Sequence, residues 1–138
     1  MEIQFKQKFF AGLLAIAAVF ITTVVYAADL SPSVKAADEQ LLAGRWLRTE
    51  GDYILELSQI KKDGGLKAVY LNPRSINVSR AEWKRSEGKI NIFVELRDVN
   101  YPGSQYTLQY NSASDRLLGT YFHAGLKQTF EVEFLRVK

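Results

Sequence analysis

From Arg45 to Lys138 the chain is written in short runs of alternating apolar and polar residues, each bounded by Gly, Pro, Asn, Asp or Ser, with no sustained helical period. A side-chain period of two belongs to a strand with one buried and one wet face. Eight such runs stand near residues 45–49, 53–60, 66–71, 76–84, 89–97, 105–110, 116–123 and 128–137. Their connections are short, so sequence neighbours are expected to pair as antiparallel hairpins. Eight one-faced strands with no long helix to pack on lose their exposed edges most simply by closing. The expected fold is all-β, an eight-stranded antiparallel up-and-down β-barrel over residues 44–138, with a two-sheet sandwich as the alternative.

The alternation also assigns faces. Tyr53, Leu55 and Leu57 oppose Ile54, Glu56 and Ser58; Ile90, Ile92, Val94 and Leu96 oppose Asn91, Phe93, Glu95 and Arg97; Phe130, Val132 and Phe134 oppose Thr129, Glu131 and Glu133. The run near 76–84 breaks the pattern, because Ile76 and Val78 share a face with Arg80 while Ala81 and Trp83 share the other, so a bulge is expected there. Tyr53, Tyr70, Tyr106, Tyr110 and Tyr121 fall on inward positions, as core residues with their hydroxyls near the rim.

Upstream of the barrel, Lys6 and Lys8 precede an apolar run from Phe9 to Val25 and the small-residue site Val25-Tyr26-Ala27. That is the layout of a secretory signal peptide, so residues 1–27 are expected to be removed during export to the periplasm or the cell exterior. An uncleaved anchor is the alternative, since the run approaches the roughly 20 apolar residues that span a bilayer. No Cys follows it, so there is no thiol to lipidate, and the mature chain is expected to be free of the membrane. Residues 28–43 read as a leader and a short helix. Asp29 to Lys35 is polar and contains Pro32, Ser33 offers an N-cap, Ala36 to Leu42 suit a helical turn and Gly44 can end it.

Composition narrows the function. Residues 28–138 make one domain, able to bury roughly 60–70% of its unfolded surface. With no Cys there are no disulfides or thiolate metal sites, and stability must come from packing. The formal charge of +3 shrinks once Lys6, Lys8 and Glu2 are removed, and no basic run carries interleaved aromatics, so no nucleic-acid partner is expected. One His, no Gly-x-Ser-x-Gly and no His/Glu metal spacing leave catalysis without a constellation. Glu50, Asp52 and Asp98 could supply paired carboxylates, but as loop residues they read first as turn formers. No enzyme, cofactor or metal site is expected.

Alternate loops of a meander lie at the same end of a barrel. One end collects 61–65, 86–88 and 111–115, ordinary turn chemistry; the other collects 50–52, 72–75, 98–104 and 123–128, richer in groups able to recognise something. The mouth residues singled out for a small ligand are Tyr70, Asn72, Arg74, Asp98, Tyr101, His123 and Gln128. Arg74 favours a carboxylate or another anion, which its planar fork meets in two bonds. Each has a plainer reading: His123 as a hydrogen-bonded loop residue, Tyr101-Pro102-Gly103 as a turn, the tyrosines as filling for a closed lumen.

Gly44-Arg45-Trp46 in the first strand, a helical turn before it, eight strands in quick succession and Arg136 near the end of the last strand together resemble the calycin superfamily. The short loops make the chain more similar to the avidin-like and bacterial metalloprotease-inhibitor barrels than to the longer lipocalins. The resemblance implies that Gly44 and Trp46 set an indole across the closed end of the barrel and that Arg136 packs over it. Arg136 shares the face of Phe130, Val132 and Phe134, where a lone guanidinium is costly without a partner. Stacking on an indole contributes about 0.5–2 kcal/mol. The departures are informative too. Arg48 stands where the avidin pattern implies a ligand-binding Asn and Asp52 where it implies a Ser; Tyr70 matches the third-strand Tyr, but Phe93 lies near where a ligand-contacting Trp would fall, so biotin binding is not implied. The inhibitor pattern's disulfide is absent, although the leader before Gly44 is placed like that family's inhibitory arm. Two functions therefore stand: a small secreted or periplasmic ligand-binding protein, and a protein-binding module such as an inhibitor of a periplasmic or secreted hydrolase. A filled structural barrel is the remaining possibility.

The processing reading is tested by intact mass and amino-terminal sequencing of the exported protein. The chain is expected to begin near Ala28 and to fractionate away from membranes; residues 1–27 retained in a membrane fraction would contradict it.

Overall fold

The computed structural model describes residues 38–138. The expected signal peptide, the expected Ser33 cap and most of the leader lie outside the described residues. A single 3-10 turn, Glu39–Leu42, precedes nine strands: β1 (Gly44–Arg48), β2 (Ile54–Ser58), β3 (Lys67–Asn72), β4 (Arg74–Ile76), β5 (Val78–Ser86), β6 (Lys89–Asp98), β7 (Tyr101–Asn111), β8 (Arg116–His123) and β9 (Gln128–Val137). They form one antiparallel sheet in the order β4-β3-β2-β1-β9-β8-β7-β6-β5. The fold is the all-β up-and-down barrel expected from the sequence, with nine strands rather than eight.

The extra strand comes from the run expected as one piece near 76–84. The chain changes partners at Asn77. Before it, β4 pairs with β3 through Tyr70↔Ile76 and Asn72↔Arg74. After it, β5 pairs with β6, with a bulge between Val78 and Arg80. The conflict of faces in the sequence is thus resolved by a break followed by a bulge, and the strand reaches across the gap between the two ends of the sheet. Asn77 holds the break: its carbonyl accepts from Arg97 N–H at 3.0 Å, its amide side chain donates to Arg97 O at 3.1 Å and its own N–H donates to Asp98 Oδ2 at 2.7 Å. Lower on the same seam, Trp83 N–H donates to Gly64 O at 2.8 Å and its indole donates to Lys61 O at 2.8 Å. The barrel is nearly closed.

A second difference lies between β6 and β7. Residues 98–104, expected as the longest loop, are mostly strand. Asp98 pairs with Tyr101 around a two-residue turn, and the register shifts between Leu96↔Ser104 and Arg97↔Pro102. Gly103 is the extra residue, at φ +93°, a conformation open to glycine.

Inward positions follow the alternation. Leu55, Leu57, Ile90, Ile92, Val94, Leu96, Tyr106, Leu108, Leu117 and Phe134 are all at most 2% exposed. Phe130 is the exception: expected inward at the start of β9, it is 40% exposed, because the strand end at the mouth has little of the barrel left to face.

The end opposite the mouth is closed by Trp46. Its indole is fully buried, donates to Leu42 O at 3.0 Å and meets Tyr110 edge-on at 6.0 Å between centroids. Arg136 lies over the other side, 4.1 Å from the ring centroid. Its guanidinium donates to Ala43 O at 2.9 Å and Leu41 O at 2.5 Å, and twice to Asp115, at 2.7 and 3.0 Å. One side chain thereby fastens the 3-10 turn, the plug and the β7–β8 turn together. Gly44 is dictated by this arrangement. It sits at φ +142°, and a Cβ there would lie 2.7 Å from Arg136 Nη1. The short helix is capped by Asp38, whose Oδ1 accepts from Gln40 N–H at 2.9 Å.

Trp46→Ala is expected to destabilise the fold by about 3–5 kcal/mol, as large-to-small changes of buried aromatics do. Arg136→Met should cost less while releasing the 3-10 turn, read by denaturant unfolding together with amide exchange at residues 39–44.

Candidate functional site

A concavity of about 670 Å³ opens at the other end of the barrel. Six of the seven residues singled out from sequence line it: Tyr70, Asn72, Arg74, Asp98, Tyr101 and His123. Gln128 does not; it is exposed and pairs with His123 at the outset of β9. The meander explains the convergence, since β1, β3, β6 and β8 all run toward this end and deliver their last residues to it.

The sequence reading missed the residue at the centre. Arg48, the last residue of β1, stands on the same face as Gly44 and Trp46, so its side chain enters the lumen from below the mouth. Its guanidinium carbon lies 5.1 Å from the Tyr53 ring centroid and 5.5 Å from that of Tyr121. Nη1 donates to Tyr106 Oη at 3.3 Å and Nε to Glu50 Oε2 at 3.2 Å. An inward Arg on a strand of period two was the available signal; its position after the plug drew attention to a missing Asn instead.

Below Arg48 the tyrosines form a connected floor. Tyr106 is fully buried, stacks on Tyr121 at 4.6 Å and packs edge-on against Phe134 at 5.4 Å. Its hydroxyl lies 2.9 Å from that of Tyr70, and Tyr70 stacks on Tyr53 with the rings 7° from parallel. The aromatic side chains fill the lower lumen and leave the upper part open. Burial pushes the Tyr70 hydroxyl far above the ordinary phenol range, and Tyr106 beside it adds to the shift. Burial also raises Tyr106, to about 12, against its hydrogen-bond partners Tyr70 and Arg48, which lower it. For Arg48, burial alone would weaken the charge, but Tyr106 and Glu50 outweigh it and the pKa is raised.

The rim is polar. Asn72 Nδ2 donates to Tyr101 Oη at 2.5 Å, tying the β3–β4 turn to the β6–β7 hairpin. Asp98 has both carboxylate oxygens engaged, by Asn77 N–H and by Val99 N–H at 2.7 Å each, which hold its carboxyl below the usual range. It is therefore a fastener of the barrel seam first. His123 Nδ1 accepts from Leu126 N–H at 3.1 Å, closing the β8–β9 turn and leaving Nε2 as its free nitrogen. Arg74 is exposed and has no ion-pair partner among the described residues. Among those residues no group of three or more His, Cys, Asp or Glu is placed to hold a metal ion.

No family model, curated protein or solved structure matches the chain.

Tyr70 and Tyr106 keep their protons in the folded state well past the pH at which unfolded phenols release theirs, near 10. Their raised values contribute stability that is full below that pH and is lost as the pH climbs toward 12. Thermal unfolding across this alkaline window is expected to show a steep fall for the wild type and a shallower one for Tyr70→Phe.

Proposed function

We propose that this chain is a small binding protein of calycin-like build, which takes a small organic ligand at the open mouth of its barrel. Export to the periplasm or cell exterior is part of the proposal and rests on the signal-peptide layout of residues 1–27. Among the described residues no helix is long and apolar enough to cross a membrane.

The observation that carries the reading is the mouth concavity itself. Its volume is that of a small-molecule site, and its walls combine aromatic faces with a few directional polar groups. Tyr53, Tyr70, Tyr101 and Tyr121 supply flat apolar surface; Asn72, Arg74, His123 Nε2 and Arg48 supply donors. A barrel filled to the rim would have neither the space nor an inward guanidinium facing it. The two ends divide the work, with stability invested in the plug around Trp46 and polar variety gathered at the mouth. The calycin-like resemblance agrees with this division, but Arg48 in place of the expected Asn argues for a ligand unlike that of the avidin-like barrels.

Native mass spectrometry of protein purified from its exporting host, followed by titration of any molecule released, tests the proposal. The expected result is a small molecule bound one to one, with affinity reduced at least tenfold in an Arg74→Ala, Tyr101→Ala double variant that still folds. Binding that the double variant leaves unchanged would place the site elsewhere.

A further inference from the structure

The hydrogen-bond count at the lumen floor defines what kind of group the mouth receives, given the mouth-binding reading above. Tyr106 Oη has two neighbours among the described residues, Arg48 Nη1 and Tyr70 Oη. Arg48 can only donate, so Tyr106 Oη accepts from it. The proton on Tyr106 must then be donated, because an unpaired buried hydroxyl loses its bonds to water without replacement. Tyr70 Oη, 2.9 Å away, is the one acceptor within reach among the described residues. Were the bond reversed, the leftover proton would stay on Tyr106, which does not line the concavity, instead of on Tyr70, which does. This orders the chain from Arg48 to Tyr106 and from Tyr106 to Tyr70.

Tyr70 consequently has its own proton left over. Its ring is 1% exposed, yet it lines the concavity, and the described residues offer its hydroxyl no acceptor other than Tyr106. Arg48 lines the same space, and the N–H groups of its guanidinium beyond those engaged by Tyr106 and Glu50 have no partner among the described residues. Every free polar hydrogen at the floor is thus a donor. A chain of hydrogen bonds that starts on a cation also strengthens its last donor, since each bond polarises the next. Burial keeps both phenols protonated at neutral pH, so the donor is permanent.

We infer that the floor of the mouth is a receptor for a carboxylate, which accepts from Tyr70 Oη–H and from the Arg48 guanidinium while the rest of an aromatic or otherwise flat ligand lies between Tyr53 and Tyr121. The anion-receiving arginine is then the half-buried Arg48 and not the rim residue Arg74, which is solvated and weakened by screening. A ligand whose leading group is an amine finds donors facing donors and is refused; a primary amide can present its oxygen but carries no charge for Arg48. Two acids stand beside the site: Asp98 has its oxygens occupied by backbone N–H groups, and Glu50 is paired with Arg48 Nε at 3.2 Å, which leaves the other N–H groups of the fork for the ligand.

Benzoate, benzamide and benzylamine share one ring and differ only at the leading group, and they serve as probes. Each is titrated into ¹⁵N-labelled protein, and the amides of residues 48, 70, 72, 101 and 121 report binding at the mouth. Benzoate is expected to shift them, benzamide to bind at least tenfold more weakly and benzylamine not to bind there. Tyr70→Phe should weaken benzoate about tenfold or more, the loss of a hydrogen bond to a charged group. Tyr106→Phe, which does not touch the ligand, should weaken it severalfold, and the two changes together should cost less than the product of their separate effects. Spectra of the variants establish that both remain folded. Benzylamine or benzamide binding at the mouth as well as benzoate does, or benzoate binding unchanged by Tyr70→Phe, overturns the carboxylate assignment and leaves the mouth-binding reading standing. Benzoate without effect at the mouth also overturns it; the mouth-binding reading then fails with it only if the protein from its host carries no small molecule.

Discussion

Arg136 is the interaction on which the rest depends. A guanidinium on the inward face of the last strand would be a defect in a barrel core, and here each of its bonds ties a different part of the chain to the same place. It covers the face of Trp46, grips Asp115 with two bonds and donates to the carbonyls of Leu41 and Ala43. Asp115 is held below the ordinary carboxyl range chiefly by Arg136, so the pair stays ionised at any pH near neutrality. Gly44 fits beside Arg136, at φ +142° and with no Cβ to crowd the anchored guanidinium. With one end shut in this way, an eight- or nine-strand barrel has only one end left at which a lumen can open.

The mouth uses the same chemical device for a different purpose. Arg48 and Trp46 are two residues apart on β1, and each guanidinium, Arg136 below and Arg48 above, lies against aromatic rings. Arg136 is fully engaged by carbonyls and a carboxylate. Arg48 is held by one phenol and one exposed glutamate, and the remainder of its fork faces space. The difference between a structural and a recognising arginine is therefore a matter of how many donors remain unspent. Between them, the packed tyrosines connect the core to the floor of the cavity.

Much of this was legible in the sequence because strand periodicity reports faces directly. The inward series Ile90, Ile92, Val94 and Leu96 is buried as the alternation requires, and the pairing of Trp46 with Arg136, which the calycin-like resemblance implied, agrees with the inward position of Arg136. The mouth was legible because a meander sorts its loops to two ends; six of the seven residues picked on that ground line the cavity. What was not legible involves partners distant in sequence. The break at Asn77 depends on Arg97 and Asp98, about twenty residues away. The hairpin at 98–101 hides behind Pro102 and Gly103, which read as loop until the bulge at Gly103 absorbs them. Arg48 was visible as an inward charge, but its meaning rests on Tyr53, Tyr106 and Tyr121, which only the closed barrel brings around it. Gln128 was placed at the mouth by loop membership alone, and its strand turns it to solvent.

The barrel is shut at the Arg136 end and open at the Arg48 end, and native-state amide hydrogen exchange followed residue by residue tests this most directly. The amides of Trp46, Leu117 and Phe134 are expected to exchange only through global unfolding, while those of the mouth turns at 99–100 and 124–127 exchange through local opening at far lower free energy. Closed-end amides that open locally before the mouth does would contradict it.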